Sequence, residues 1–122
     1  MIKNILMIDD EPDFTELAAT LLRFHNFEVD AYNESLNVDK HLIAKQYDLI
    51  VTDLMMPDVD GFKVIENIRA IPNYAKVPVI VLSAKVLTDA ERKFLMQQEA
   101  HFVMKPFEPQ ELVDKIRLLA VN

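Results

Sequence analysis

Short apolar runs alternate along the chain with segments whose apolar residues recur at helical spacing. The runs KNILMI, EVDAY, DLIVTDL, VPVIVL and HFVM are rich in branched or apolar residues and bounded by polar or turn residues, which predicts five strands. Within them, ILMI and VIVL are apolar at successive positions. Such strands are covered on both faces, as in a parallel sheet between helices.

Five helices are expected between and after the strands. Pro12 suits the first turn of a helix carrying Phe14, Leu17, Ala18, Leu21 and Leu22 as an apolar stripe. A second helix is expected from about Ser35 to Gln46, with Leu36, Leu42 and Ile43 inward. The third starts near Asp60 and Gly61 and carries Phe62, Ile65 and Ile68; Thr88 and Glu91 have capping-box spacing and start a fourth through Phe94 and Leu95. Pro109 opens the fifth, with Leu112, Val113, Ile116, Leu119 and Ala120. Parallel strands need right-handed crossovers, so five βα units predict an α/β, doubly wound three-layer domain.

Length and composition bound this picture. With 122 residues, 51% of them apolar, the chain holds one sizeable core and is expected to be a single domain. There is no cysteine, which excludes disulfides and thiolate metal sites. No apolar run approaches the roughly eighteen residues of a membrane span, and MIKNILMIDD reaches acids too soon to be a signal peptide. The expectation is a soluble, cytoplasmic protein with no membrane contact. A net charge of -7 without a clustered basic face argues against direct nucleic-acid binding.

In doubly wound folds, ligands sit beyond the carboxyl ends of the strands. The first strand ends in Asp9, Asp10 and Glu11, the third in Asp53, the fourth in Ser83 and Ala84, the fifth in Lys105 and Pro106. Crowded carboxylates repel, and the cost rises as water is excluded. A hard cation such as Mg²⁺ would offset that repulsion with oxygen ligands, and phosphate could bridge the metal, the lysine and a hydroxyl.

ILMIDDEP, YDLIVTDLMMPDVDG, VPVIVLSA and FVMKPF resemble, in order and approximate spacing, the receiver domain of two-component response regulators, and the resemblance covers the whole chain. It implies a flavodoxin-like (βα)5 fold with a five-stranded parallel sheet of order 2-1-3-4-5, forming one receiver domain over residues 1–122 with no output domain in this chain. It implies that Asp53 accepts a phosphoryl group from a phosphohistidine of a sensor histidine kinase or phosphotransfer protein. Asp10, Asp53 and the main-chain carbonyl of Met55 would hold Mg²⁺, with Asp9 acting mainly through water. Lys105 would pair with Asp53 and then with the phosphoryl oxygens, its bond to Pro106 being cis. Ser83 would hydrogen-bond the phosphoryl group, and Phe102 would be the aromatic switch. A downstream protein target, or an output domain elsewhere, would read the result; a homodimer is allowed. The chain would be a signalling switch rather than an enzyme, catalysing only its own phosphorylation and slow dephosphorylation.

Blander readings apply to each residue alone. Acids in a first helical turn are favoured by the helix dipole with or without a metal. Lys105 could merely neutralise Asp53, and His25, His41 and His101 lack metal spacing and read as surface or packing residues. DVDG at Asp58 to Gly61 is rejected as a calcium loop, because Met56 occupies a ligand position and the distal glutamate is absent. Three alternative functions share parts of the pattern. An aspartyl-phosphate phosphohydrolase would need a general acid beside its nucleophile and a substrate pocket. An FMN carrier would need a Gly, Ser or Thr loop after the first strand. A phosphorylation-independent module would have lost site residues that are present here. The loop before the last strand, QQEAHF, has no glycine, so a non-glycine residue is expected to bear any positive φ there.

Overall fold

Every strand is a five-residue segment whose two faces both meet helices. In the computed structural model, which describes residues 2–105 and 107–120, the strands are β1 (Asn4–Ile8), β2 (Glu28–Tyr32), β3 (Leu49–Asp53), β4 (Val79–Ser83) and β5 (Ala100–Met104). The helices are α1 (Pro12–Phe24), α2 (Val38–Ala44), α3 (Gly61–Ala70), α4 (Asp89–Gln97) and α5 (Pro109–Ala120). The sheet is parallel throughout with order β2-β1-β3-β4-β5, as expected. The bond from Lys105 to Pro106 involves a residue outside those described.

Strand alternation divides the core in two. Ile5, Met7, Leu49, Val51, Ile80 and Leu82 face α1 and α5, meeting Ala18, Ala19, Leu22, Leu112, Val113 and Ile116. Leu6, Ile8, Ile50, Val79 and Val81 face the other helices, meeting Val38, Leu42, Val64, Ile65, Ile68 and Leu95. A fully buried side chain of this kind contributes roughly 1.5–3 kcal/mol. The three central strands, which carry most of them, are therefore the rigid frame behind the strand ends.

Two helices depart from expectation. Helix α2 is only seven residues long, not Ser35 to Gln46, and Leu36 and Ile43 are exposed while Val38 and Leu42 are buried. Asn37 takes a left-handed φ of 67° and sets the start. Its end is set from afar: the Tyr74 hydroxyl lies 2.9 Å from the Leu42 carbonyl and 2.8 Å from that of Lys45, supplying a donor to the helix's last carbonyls. On α1, Leu17 is 61% exposed, and the helix instead buries Thr15, Ala18, Ala19 and Leu22. The expected capping box on α4 is present, and Asp60 caps α3 by accepting from Lys63 N at 2.9 Å. His25 Nδ1 faces Arg117 at 2.9 Å and His41 stacks on Tyr32, so both are packing residues.

Candidate functional site

The alternation that sorts the core also sorts the strand ends. Continued to the end of each strand, it puts Asp9, Asp53 and Lys105 on the α1/α5 side and Ser83 and Phe102 on the other. The Lys105 ammonium lies 2.7 Å from Asp9 Oδ2, 3.3 Å from Asp53 Oδ2 and 3.3 Å from Glu11 Oε1. Its shortest contact is thus with Asp9 rather than Asp53. Phe14 presents its ring face to the same ammonium, 4.4 Å away, and is itself met edge-on by Phe107.

Asp9 is fully buried and Asp53 only 5% exposed. The remaining oxygen of each is held by the backbone: Asp9 Oδ1 accepts from Glu11 N at 3.0 Å and Asp53 Oδ1 from Met55 N at 3.2 Å. One carboxylate oxygen from each of Asp9, Asp10, Glu11 and Asp53 lies within 4.8 Å of the others. Burial pushes the Asp9 carboxyl above its ordinary range; the Lys105 bond and the Glu11 N–H oppose this, while the Asp53 charge adds to it. Burial acts against the Lys105 charge too, but the Asp9 hydrogen bond and the charges of Asp9 and Asp53 outweigh it and raise its pKa. Four clustered carboxylates, three of them in contact with the one ammonium, leave a surplus of negative charge in an oxygen-only donor set. That set fits a hard divalent cation such as Mg²⁺.

Gly61 lets the start of α3 lie directly against the backbone at the end of β3. Its N–H donates to the Leu54 carbonyl at 3.0 Å, and a Cβ there would stand 2.3 Å from the Asp53 carbonyl oxygen and 2.6 Å from Leu54 Cα. The only glycine of the chain is thus spent on close approach of α3 to β3. Behind the site, Ser35 Oγ donates to Pro57 O and accepts from Val59 N, both at 2.9 Å, tying the loop after β3 to the loop after β2.

On the other side, Ser83 is fully buried and its Oγ accepts from Lys85 N at 3.0 Å. Lys105 N donates to Ser83 O at 2.9 Å, carrying the β4–β5 pairing one step further. Phe102 is half-buried opposite Val81, one same-face step from the Ser83–Met104 pair, and packs on the core rather than on the acid cluster. Met55 is 60% exposed at the mouth.

The end of the second strand also contributes to the site. Asn33, directly after β2, donates from Nδ2 to the Asp9 carbonyl at 2.9 Å and to Thr15 Oγ1 at 2.8 Å. Its position after a strand was the available signal. Phe14 carried no signal beyond its place in the helical stripe.

The family model for the response regulator receiver domain matches residues 5–117. This chain belongs to that family. Among curated relatives, it is 31% identical over 116 residues, 95% of its length, to a probable transcriptional regulator, ycf29, of Porphyra purpurea, and covers 56% of that protein. It spans about half the length or less of the other first relatives it matches. Among solved structures, chemotaxis protein CheY4 of Vibrio cholerae superposes with a TM-score of 0.87 at 19% identity, covering 96% of this chain and 98% of that one. The receiver domain of sensor histidine kinase PA1611 from Pseudomonas aeruginosa PAO1, described with a magnesium ion in its active-site cleft, superposes with a TM-score of 0.82 at 26% identity, covering 96% of each chain. No helix among the described residues is long and apolar enough to cross a membrane.

Proposed function

We propose that residues 1–122 act as one phosphorylation-dependent receiver switch in which Asp53 accepts a phosphoryl group from a phosphohistidine of a sensor histidine kinase or phosphotransfer protein. The observation that carries this reading is the environment of Asp53: a nearly buried carboxylate at the end of a central strand, 3.3 Å from an ammonium and inside a four-acid cluster. In the transfer, an Asp53 oxygen bonds to phosphorus while the P–N bond breaks and its electron pair leaves with the imidazole nitrogen. Asp10, Asp53 and the Met55 carbonyl would hold Mg²⁺, with Asp9 acting through water. The ion, when bound, screens the charges of carboxylate and phosphoryl group.

The remaining roles follow from the contacts. Lys105 already bridges Asp9 and Asp53 and turns to the phosphoryl oxygens once they arrive. Ser83 donates its hydroxyl proton to no acceptor among the described residues, so it is available to a phosphoryl oxygen. Phe102, on the Ser83 side of the sheet, follows the space that Ser83 leaves and alters the face offered to a downstream target or an output domain. The magnesium described for the PA1611 receiver supports the choice of ion. A cytoplasmic location goes with a kinase partner of this class.

With Mg²⁺ and acetyl phosphate, the intact protein is expected to gain the mass of one phosphoryl group, and to gain none when the metal is chelated. No gain under either condition would overturn the reading.

A further inference from the structure

Ser83 and the first turn of α4 are joined by a chain of polar contacts that runs through one lysine. Lys85 N donates to Ser83 Oγ, and Lys85 Nζ lies 3.1 Å from Glu91 Oε1. The same Glu91 oxygen accepts from Thr88 N at 2.8 Å, and Thr88 Oγ1 accepts in turn from Glu91 N at 3.1 Å. One carboxylate oxygen thus both caps α4 and holds Lys85. The Glu91 carboxyl sits below its ordinary range, chiefly because of the Thr88 N–H and further because of Lys85. Helix α4 depends on this cap more than its neighbours do on theirs, since Leu95 is the one buried residue among its nine.

Lys85 also borders the cavity lined by Leu54, Met55, Asp60 and Phe62, beside the end of β3. Its side chain is 33% exposed and pairs with one acid, whereas Lys105 is 14% exposed and meets three. On the reading that Asp53 carries the phosphoryl group, we propose that Lys85 is a second cation for that group, held in reserve by Glu91, and that its move from Glu91 to the phosphoryl oxygens loosens the cap of α4. A phosphoryl group brings about -1.5 to -2 of charge, against a single carboxylate already engaged by an N–H. The lysine stem is long and flexible, and its backbone N–H is fixed to Ser83, so the ammonium swings about a point next to the site. Glu91 then loses the neighbour that pins its carboxylate over the Thr88 N–H.

Beryllofluoride with Mg²⁺, as a mimic of the phosphoryl group, tests this by amide hydrogen exchange and by titration. In the wild type, bound mimic is expected to speed exchange of the Thr88 amide severalfold; in Lys85→Met it is expected to leave that amide unchanged, and Lys85→Arg restores the response. Glu91→Gln keeps an acceptor for the cap but frees the lysine, so it is expected to bind the mimic about two- to fivefold more tightly, the scale of a half-exposed ion pair. That gain must vanish in the Lys85→Met background. Unchanged affinity in Glu91→Gln, or a gain that persists without Lys85, overturns the proposal while leaving phosphorylation of Asp53 intact. Failure of the wild type to bind the mimic at all removes the phosphoryl reading itself, and this inference with it.

Discussion

The two lysines at the strand ends occupy opposite electrostatic situations. Lys105 follows β5 and is enclosed by Asp9, Asp53, Glu11 and the ring of Phe14. Lys85 follows β4 and leans outward to one glutamate on the next helix. The enclosed ammonium is part of the fold, because without it two buried carboxylates face each other. The outer one can exchange partners at little cost to the fold, since exposed pairs contribute little to stability. Strand alternation produced this division: the same two-residue period that puts Val103 among the α1/α5 core puts Lys105 on that side, and Ser83 on the other.

Removing each lysine therefore has a different consequence. Lys105→Met is expected to destabilise the metal-free protein by about 3 kcal/mol at neutral pH, the lower end for breaking a buried pair, measured by urea unfolding. Because the fold raises the Lys105 pKa, its contribution is fully present below the ordinary lysine range and is lost only as pH climbs through the raised value. Lys85→Met, which removes only the neighbour of the Glu91 cap, is expected to cost no more than about 0.5 kcal/mol in the same measurement. Equal losses in the two variants would break the comparison.

Next in size, on the proposal that Asp53 is phosphorylated, is the lifetime of that group. Exposed Met55 has no strong donor or acceptor to orient an attacking water, and Lys85, while charged, cannot accept its proton. Hydrolysis is therefore expected to be slow, with Met55→Asn accelerating decay about tenfold once the donor is removed. Decay within seconds in the wild type, or none faster in the variant, would contradict this.

Smaller, and opposite in sign to the loss of Lys105, is the effect of relieving the acid cluster. Burial raises the Asp9 pKa, so the stability linked to this group is fully present below its unfolded pKa and is lost as pH rises through the folded one. Asp9→Asn is expected to raise the melting temperature of the metal-free protein by a few degrees at pH 7 and to give no advantage in strong acid. A lower melting temperature at pH 7 would show that the Lys105 bond outweighs the cost of burial. The smallest effect belongs to Glu99, which takes a φ of 54° in the loop before β5. Glu99→Gly is expected to stabilise the fold by roughly 0.5–1 kcal/mol in urea unfolding.

That last position was legible from the sequence as a glycine-free loop, but its support was not. Arg69 donates to the Gln98 carbonyl at 2.9 Å and to those of Tyr74 and Val77 at 2.9 and 2.6 Å, fastening the turn to the segment after α3. Contacts of this kind join residues far apart in sequence, as do Tyr74 with Leu42 and Asn33 with Asp9, and no local period announces them. Helix α2 is shorter than its apolar pattern for the same reason: Ile43 continues that pattern, yet a partner from another element ends the helix one residue later. The strands, the Thr88–Glu91 cap and the acid corner were legible because each is written in adjacent or regularly spaced residues. Gly61 was legible as a helix start but not as the residue that lets α3 touch Asp53.

The most direct test of the central claim is to locate the phosphoryl group. Protein treated with Mg²⁺ and acetyl phosphate is reduced with borohydride, which converts an aspartyl phosphate to homoserine, and its peptides are mapped by mass spectrometry. Conversion at Asp53 alone, and at no residue in Asp53→Asn, is the predicted result. Conversion at Asp9, Asp10 or any other residue in the wild type, or an unchanged yield in Asp53→Asn, would contradict it.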